Sequence, residues 1–297
     1  MFIDIHSHAF RIKPPKLGFS TPAELIKRYD EMKVDMAVLL PVVSPEIYFP
    51  QSCEDIIEMY ENNPDRFIAY CNIDPRSLRN SPNSDFYSIL EYYKGKGCKG
   101  VGEIMPNLPL DDERVQALLA ACEKANLPAV YDGSVRLKNS FGIYDEPGLP
   151  MLEHTLLELP DLKLFGHGPV FWNEIARLDT VATRGVHMSR FGKQYLNLPT
   201  GPVEEEGTVP RLLRKYKNLQ GDLSDPTAYN AIARDDVYGP RFLSEFEDKL
   251  YFGTDLCSPT MPVELDKLLI HWRECGKISE TTFRKIAYEN AERLLGL

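Results

Sequence analysis

The sequence predicts an α/β protein folded as a (β/α)8 TIM barrel, and three observations carry that reading. Eight short apolar runs rich in β-branched residues alternate with helical segments along 297 residues, close to the ~250 residues typical of this fold. Ionisable residues interrupt those runs at their C-terminal ends, the side on which barrel active sites lie. The first run is followed by His6-Ser7-His8, where a doubly wound open sheet would carry a glycine-rich phosphate loop. The expectation is one domain over residues 1–297.

The elements follow in order. Phe2, Ile3 and Ile5 form the first strand, ending at His8. Thr21-Pro22 then opens a helix to Lys33, because Thr is a good N-cap and Pro suits the first helical position. Residues 34–43 give strand two and 53–62 a helix. Strand three, 67–73, ends before Asp74-Pro75. A helix over 85–94 leads to strand four, ending at Glu103. Asp111-Asp112 open a helix to Ala125, and strand five ends at Asp132-Gly133. A helix over 148–159 precedes strand six, ending at His167. A helix over 209–215 precedes strand seven, ending near Asp222. A helix over 239–247 precedes strand eight, ending at Asp255, and a helix over 279–295 closes the chain. The connection over about 168–210 is rich in Gly, Pro, Arg and aromatic residues. Loops this long inside a compact domain are usually functional, so it reads as a lid or substrate loop.

Composition bounds the partners. A formal net charge of −10 argues against nucleic acid or an anionic membrane as a partner. No apolar run approaches the ~20 residues of a membrane span, and the N-terminus lacks a signal-peptide pattern. The six cysteines show no C-x-x-C spacing, as expected of reduced thiols in a cytoplasmic protein. A homodimer is the default oligomeric state.

The strand ends carry the chemistry. Alternate residues of a strand share a side, so the imidazoles of His6 and His8 converge on one point and suit a divalent metal. Glu103, Asp132, His167 and Asp255 end strands four, five, six and eight, on the same face. Together they form the nitrogen and oxygen cluster that a catalytic metal requires. Glu103 and Asp132 read either as ligands or as carboxylates orienting the histidines. Asp222 reads as a rim residue positioning the strand-seven loop. Trp172 is a candidate pocket wall, and Arg11, Arg136, Arg177, Arg184 and Arg190 are candidate clamps for a substrate carboxylate. His187 falls in the long loop, within range of the site.

The motifs HSH on strand one, GHG on strand six, LYFGTD on strand eight and the closing YENAERLLGL resemble the amidohydrolase superfamily. The likeness is to its branch of metal-dependent TIM-barrel hydrolases, which also holds decarboxylases and hydratases acting on small carboxylated substrates. It implies that His6, His8 and Asp255 bind metal, and that Asp255 also handles the proton of the attacking water. It implies that His167 binds a metal or polarises the substrate. The family usually has histidine where this chain has Asp132. Glu103 resembles the family's strand-four glutamate, and no lysine is available there for a carbamate bridge. The expected cofactor is therefore one divalent ion rather than two, zinc first and manganese next, held by His6, His8, Glu103, Asp255 and His167. The expected activity is hydrolysis of a small amide, ester or lactone, with Asp255 and His167 catalytic. A metal-dependent decarboxylase or hydratase, and a non-catalytic metal- or ligand-binding barrel, are the alternatives.

Overall fold

A computed structural model describes residues 1–13, 18–47, 51–178 and 198–297, together with the backbone of 186–188 and 194–196. Eight strands occupy the predicted places: β1 (Ile3–Ser7), β2 (Met36–Leu39), β3 (Phe67–Ala69), β4 (Val101–Ile104), β5 (Ala129–Ser134), β6 (Leu164–His167), β7 (Leu219–Asp222) and β8 (Leu250–Tyr251). They form two parallel runs, β1-β2-β3 and β4-β5-β6-β7-β8. Backbone hydrogen bonds cross both seams between the runs. Cys71 N–H donates to Gly100 C=O at 3.0 Å on one side. On the other, Ile5 N–H donates to Phe252 C=O at 3.1 Å and His8 N–H to Leu256 C=O at 2.9 Å.

Apolar residues line both sides of the strands, as a strand buried on two faces requires. Ile3, Ile5, Val38, Leu40, Ile68 and Phe165 pack together in one cluster. A larger cluster lies between strands and helices. Helix α1 (Pro22–Met32) begins with a reciprocal Thr21–Glu24 capping box, and α2 (Cys53–Asn62) with Ser52 accepting from Asp55 N–H. Two further helices, Asp225–Ala233 and Leu265–Glu274, extend the predicted set. The predicted closing helix spans Glu280–Arg284, a π turn at Lys285–Glu289 and Asn290–Leu295. The long connection starts as a short helix, Gly168–Trp172. Its central part, with Arg184, Arg190 and the His187 side chain, lies outside the described residues.

Strict alternation would misplace the site. Ile3 and Ile5 pack with one cluster, while the Asp4 carboxylate between them accepts from Tyr29 O–H of α1 at 2.6 Å. Continued alternation would send His6 the way of Asp4. In the pairing of β1 with β2, however, Asp4 faces Ala37 and Ser7 faces Leu39, so Ile5 and His6 together oppose Val38 alone. β4 repeats this against β5, with Val101 facing Ala129 and Ile104 facing Tyr131. Each extra residue is a β-bulge, which re-aims the side chains beside it. One bulge directs His6 and the other Glu103 into the barrel mouth.

Candidate metal and catalytic site

The donor set is built around two locked imidazoles. His6 Nδ1–H donates to Asp222 Oδ2 at 2.6 Å, and His8 Nδ1–H donates to Leu40 C=O at 2.9 Å. A carboxylate and a carbonyl only accept, so each ring turns an Nε2 lone pair inwards. The two Nε2 atoms are 3.2 Å apart. Glu103 Oε2 lies 3.5 Å from His6 Nε2 and 3.4 Å from His8 Nε2. Asp255 Oδ1 lies 3.7 Å and 3.4 Å from the same two atoms. Ligand atoms about 2.1 Å from one tetrahedral ion stand roughly 3.4 Å from each other. Four electron-rich atoms at this spacing fit a divalent cation.

Glu103 has a second face. Its Oε1 is 3.6 Å from His167 Nε2, and Glu103, His167 and Asp132 form a further group able to hold an ion. His167 Nδ1 is held by the Ser224 hydroxyl at 2.9 Å, with Asp222 Oδ2 at 3.3 Å. His167 thus stands beside the His6–His8 donors, while the Asp132 carboxylate is buried and, among the described residues, has no hydrogen bond of its own.

Burial and charge set the protonation of the metal-free site. Burial disfavours a charged His6, but Asp222 and Glu103 outweigh it and raise its pKa well above the usual value. Burial likewise opposes charging of His8, and hydrogen bonds that it donates to Asp255 and Glu103 lift it to about 9. His167 rises to about 10 against burial and the His6 charge, through Asp222 and Asp225. Glu103 and Asp222 stay well below the carboxylate range, because the histidine charges overcome burial. Asp132 is pushed up by burial, then by the Glu103 charge. Protons and a metal ion compete for the same histidine nitrogens, so metal uptake releases protons.

Asp255 has backbone φ of 53°, a strained value for a non-glycine residue. Its N–H donates to His6 C=O at 2.8 Å, which ties the end of β8 to the donor strand. Thr254, its neighbour, donates to Asp4 through both N–H (3.0 Å) and hydroxyl (2.5 Å). Asp4, Asp222, Ser224 and Asp225 were not read from sequence as parts of the site. Asp222 lies fully buried behind the donors, where it orients His6 with one oxygen and accepts Ser224 N–H with the other at 3.0 Å. It is not a rim residue.

A cavity of about 720 Å³ opens over these groups, lined by His8, Glu103, Asp132, His167, Asp225 and Asp255 at its polar side. Phe10, Phe19 and Phe141 line its apolar side, and Arg136 reaches it from the β5 loop. Three candidates fall elsewhere. Trp172 is fully buried and gives its Nε1–H to Asp222 C=O at 2.8 Å, so it braces β7 instead of walling the pocket. Arg11 is half exposed and paired with Asp55 at 2.7 Å, and does not line the cavity. Arg177 pairs with Glu205 at the surface.

The family model described as amidohydrolase matches residues 3–297. The chain belongs to the amidohydrolase family. Members of that superfamily usually bind a divalent metal, in keeping with the donor groups found here. No curated protein gives a significant match. Solved structures share the fold over the full chain. One is a probable 2-pyrone-4,6-dicarboxylic acid hydrolase from Acinetobacter baumannii with citric acid bound. It has a TM-score of 0.58 and 13% identity, covering 100% of this chain and 99% of that one. Another is 5-carboxyvanillate decarboxylase from Sphingomonas paucimobilis, with TM-score 0.60 and 15% identity over 100% and 99%. A third is 2,6-dihydroxybenzoate decarboxylase from Rhizobium, with TM-score 0.59 and 14% identity over 99% and 98%. At these identities the amidohydrolase likeness is one of fold, and it spans both hydrolases and decarboxylases. Among the described residues, no helix is long and apolar enough to cross a membrane.

Proposed function

We propose that this amidohydrolase is a metal-dependent hydrolase acting on a small amide, ester or lactone. The observation that carries the reading is the pair His6 Nε2 and His8 Nε2, 3.2 Å apart, with Glu103 Oε2 and Asp255 Oδ1 each 3.4–3.7 Å from both. These four residues would hold one divalent ion, zinc by its donor chemistry. Its contribution when bound is that of a Lewis acid that lowers the pKa of water and polarises a carbonyl.

The protein's own part follows from exposure and aim. The Asp255 side chain is 26% exposed, against 7% for Glu103. Asp255 is therefore the carboxylate that a nucleophilic water can reach, and it takes that water's proton and returns it to the leaving group. His167 lines the cavity, and with Nδ1 held by Ser224 its Nε2 is placed to donate a hydrogen bond to the oxyanion. Arg136 meets an anionic substituent on the substrate, if one is present. A decarboxylase is the second reading, supported by the place of His167 in the cavity lining, from which it can pass a proton to a substrate carbon.

The test is Asp255→Asn, assayed on a panel of aryl esters, lactones, anilides and aromatic carboxylic acids after metal analysis. The expected result is loss of hydrolysis by about 10²–10⁴-fold with the fold retained. Wild-type rates in the variant would overturn the role of Asp255. Carbon dioxide release from the acids, with no hydrolysis by the wild type, would select the second reading.

A further inference from the structure

We infer that Asn107 is a positioning residue that holds the 134–142 loop as the substrate-selecting wall of the cavity. This rests on the proposed function only for its kinetic consequence. Asn107 follows β4, on the loop next to the cavity, and its single side chain bonds the β5 loop at four points. Its Nδ2 donates to Arg136 C=O at 3.0 Å, to Gly142 C=O at 3.1 Å and, more weakly, to Ser134 Oγ at 3.5 Å. Its Oδ1 accepts from Lys138 N–H at 2.6 Å.

The loop needs such a hold. Lys138 and Asn139 sit consecutively at φ of 67° and 53°, conformations that persist only where surrounding contacts impose them. Asn107 supplies its bond to the backbone of the first of these two residues. Asn107 is itself fixed from β2: its N–H donates to Glu46 Oε1 at 3.2 Å, and Glu46 is gripped by both terminal nitrogens of Arg76 at 2.7 and 2.8 Å.

What the clamp fixes is the composition of the wall. The loop contributes Ser134, Val135, Arg136, Asn139, Ser140 and Phe141 to the cavity. Among the described residues, Arg136 is the only lysine or arginine there. Its guanidinium is tied to Asn139 C=O at 3.1 Å, within the clamped turn. Release of the turn therefore displaces the one arginine that lines the cavity among the described residues, without touching any metal-donor residue.

Trypsin reads this directly, since Arg136 and Lys138 are both cleavage sites inside the loop. The experiment is limited trypsin digestion of the full chain, wild type beside Asn107→Ala and Asn107→Asp, with fragment ends assigned by mass spectrometry and metal content measured in parallel. Cleavage of a transiently open segment tracks its open population. Asn107→Ala is expected to speed cleavage after Arg136 and Lys138 at least about ten-fold, with cleavage elsewhere and metal content unchanged. Asn107→Asp keeps the acceptor for Lys138 and should fall between. An equal rate at the loop in all three proteins would overturn the inference, as would a uniform rise at every site, which marks general destabilisation. If the protein is a hydrolase, Asn107→Ala raises KM for the hydrolysed panel compound and leaves kcat close to wild type. A fall in kcat alone would also count against it. The digestion result stands whether or not hydrolysis is found.

Discussion

Two donor groups share Glu103 and differ in how they are braced. Around Glu103 Oε2, both imidazoles have their outer nitrogens committed, His6 to Asp222 and His8 to the Leu40 carbonyl. Around Glu103 Oε1, His167 is braced by Ser224, but among the described residues nothing hydrogen-bonds the Asp132 carboxylate, and burial holds it towards its neutral form. A ligand held by an outer partner is oriented before the ion arrives. The first group is therefore the better prepared of the two to hold an ion. Donor identity alone does not separate the two, because each offers histidine and carboxylate.

Breaking the brace of the first group should have the largest effect. Asp222→Ala removes the acceptor of His6 Nδ1 and should weaken metal affinity by about 10–100-fold, read by competition with a fluorescent chelator. Unchanged affinity would show that Asp222 does not orient the donor. A smaller effect is expected from Asp132→Asn. It should leave one ion per chain by elemental analysis, with affinity changed less than about ten-fold, below the range for loss of an orienting partner. A fall from two ions to one would instead make the second group a metal site in its own right. Smallest of all, Trp172→Phe frees the Asp222 carbonyl and should cost about 1–3 kcal/mol in urea unfolding, with metal content unaffected. A variant that lost its metal would return Trp172 to the site.

The contrast also marks what the sequence can disclose. The strand ends at His8, Glu103, Asp132, His167 and Asp255 were legible because polar residues interrupt apolar runs at a position the fold reserves for chemistry. Asp222 was legible as a strand end but not as the partner of His6, because nothing local signals a contact across 216 positions. Asp4 was hidden within an apolar strand, and Ser224 and Asp225 within a short, weakly patterned helix start. Trp172 and Arg11 misled for the opposite reason. Their positions after strand ends suited a pocket, but Trp172 turns back into the core and Arg11 finds Asp55 on α2. The two bulges were equally invisible, since a run such as Gly-Val-Gly-Glu reads the same with or without an extra residue in the ladder. Convergence of His6 with Glu103 depends on both.

The seam that joins β1 to β8 has a consequence for biosynthesis. Asp4 bonds Thr254 across 250 positions, and Asp255 bonds the carbonyl of His6. The first strand of this barrel is thus completed by its eighth. During synthesis His6 and His8 emerge long before Asp255, so the full donor set first exists at the moment the barrel closes. Assembly of that set is then a report on finished folding, and a chain stalled short of β8 carries the two histidines without Asp255.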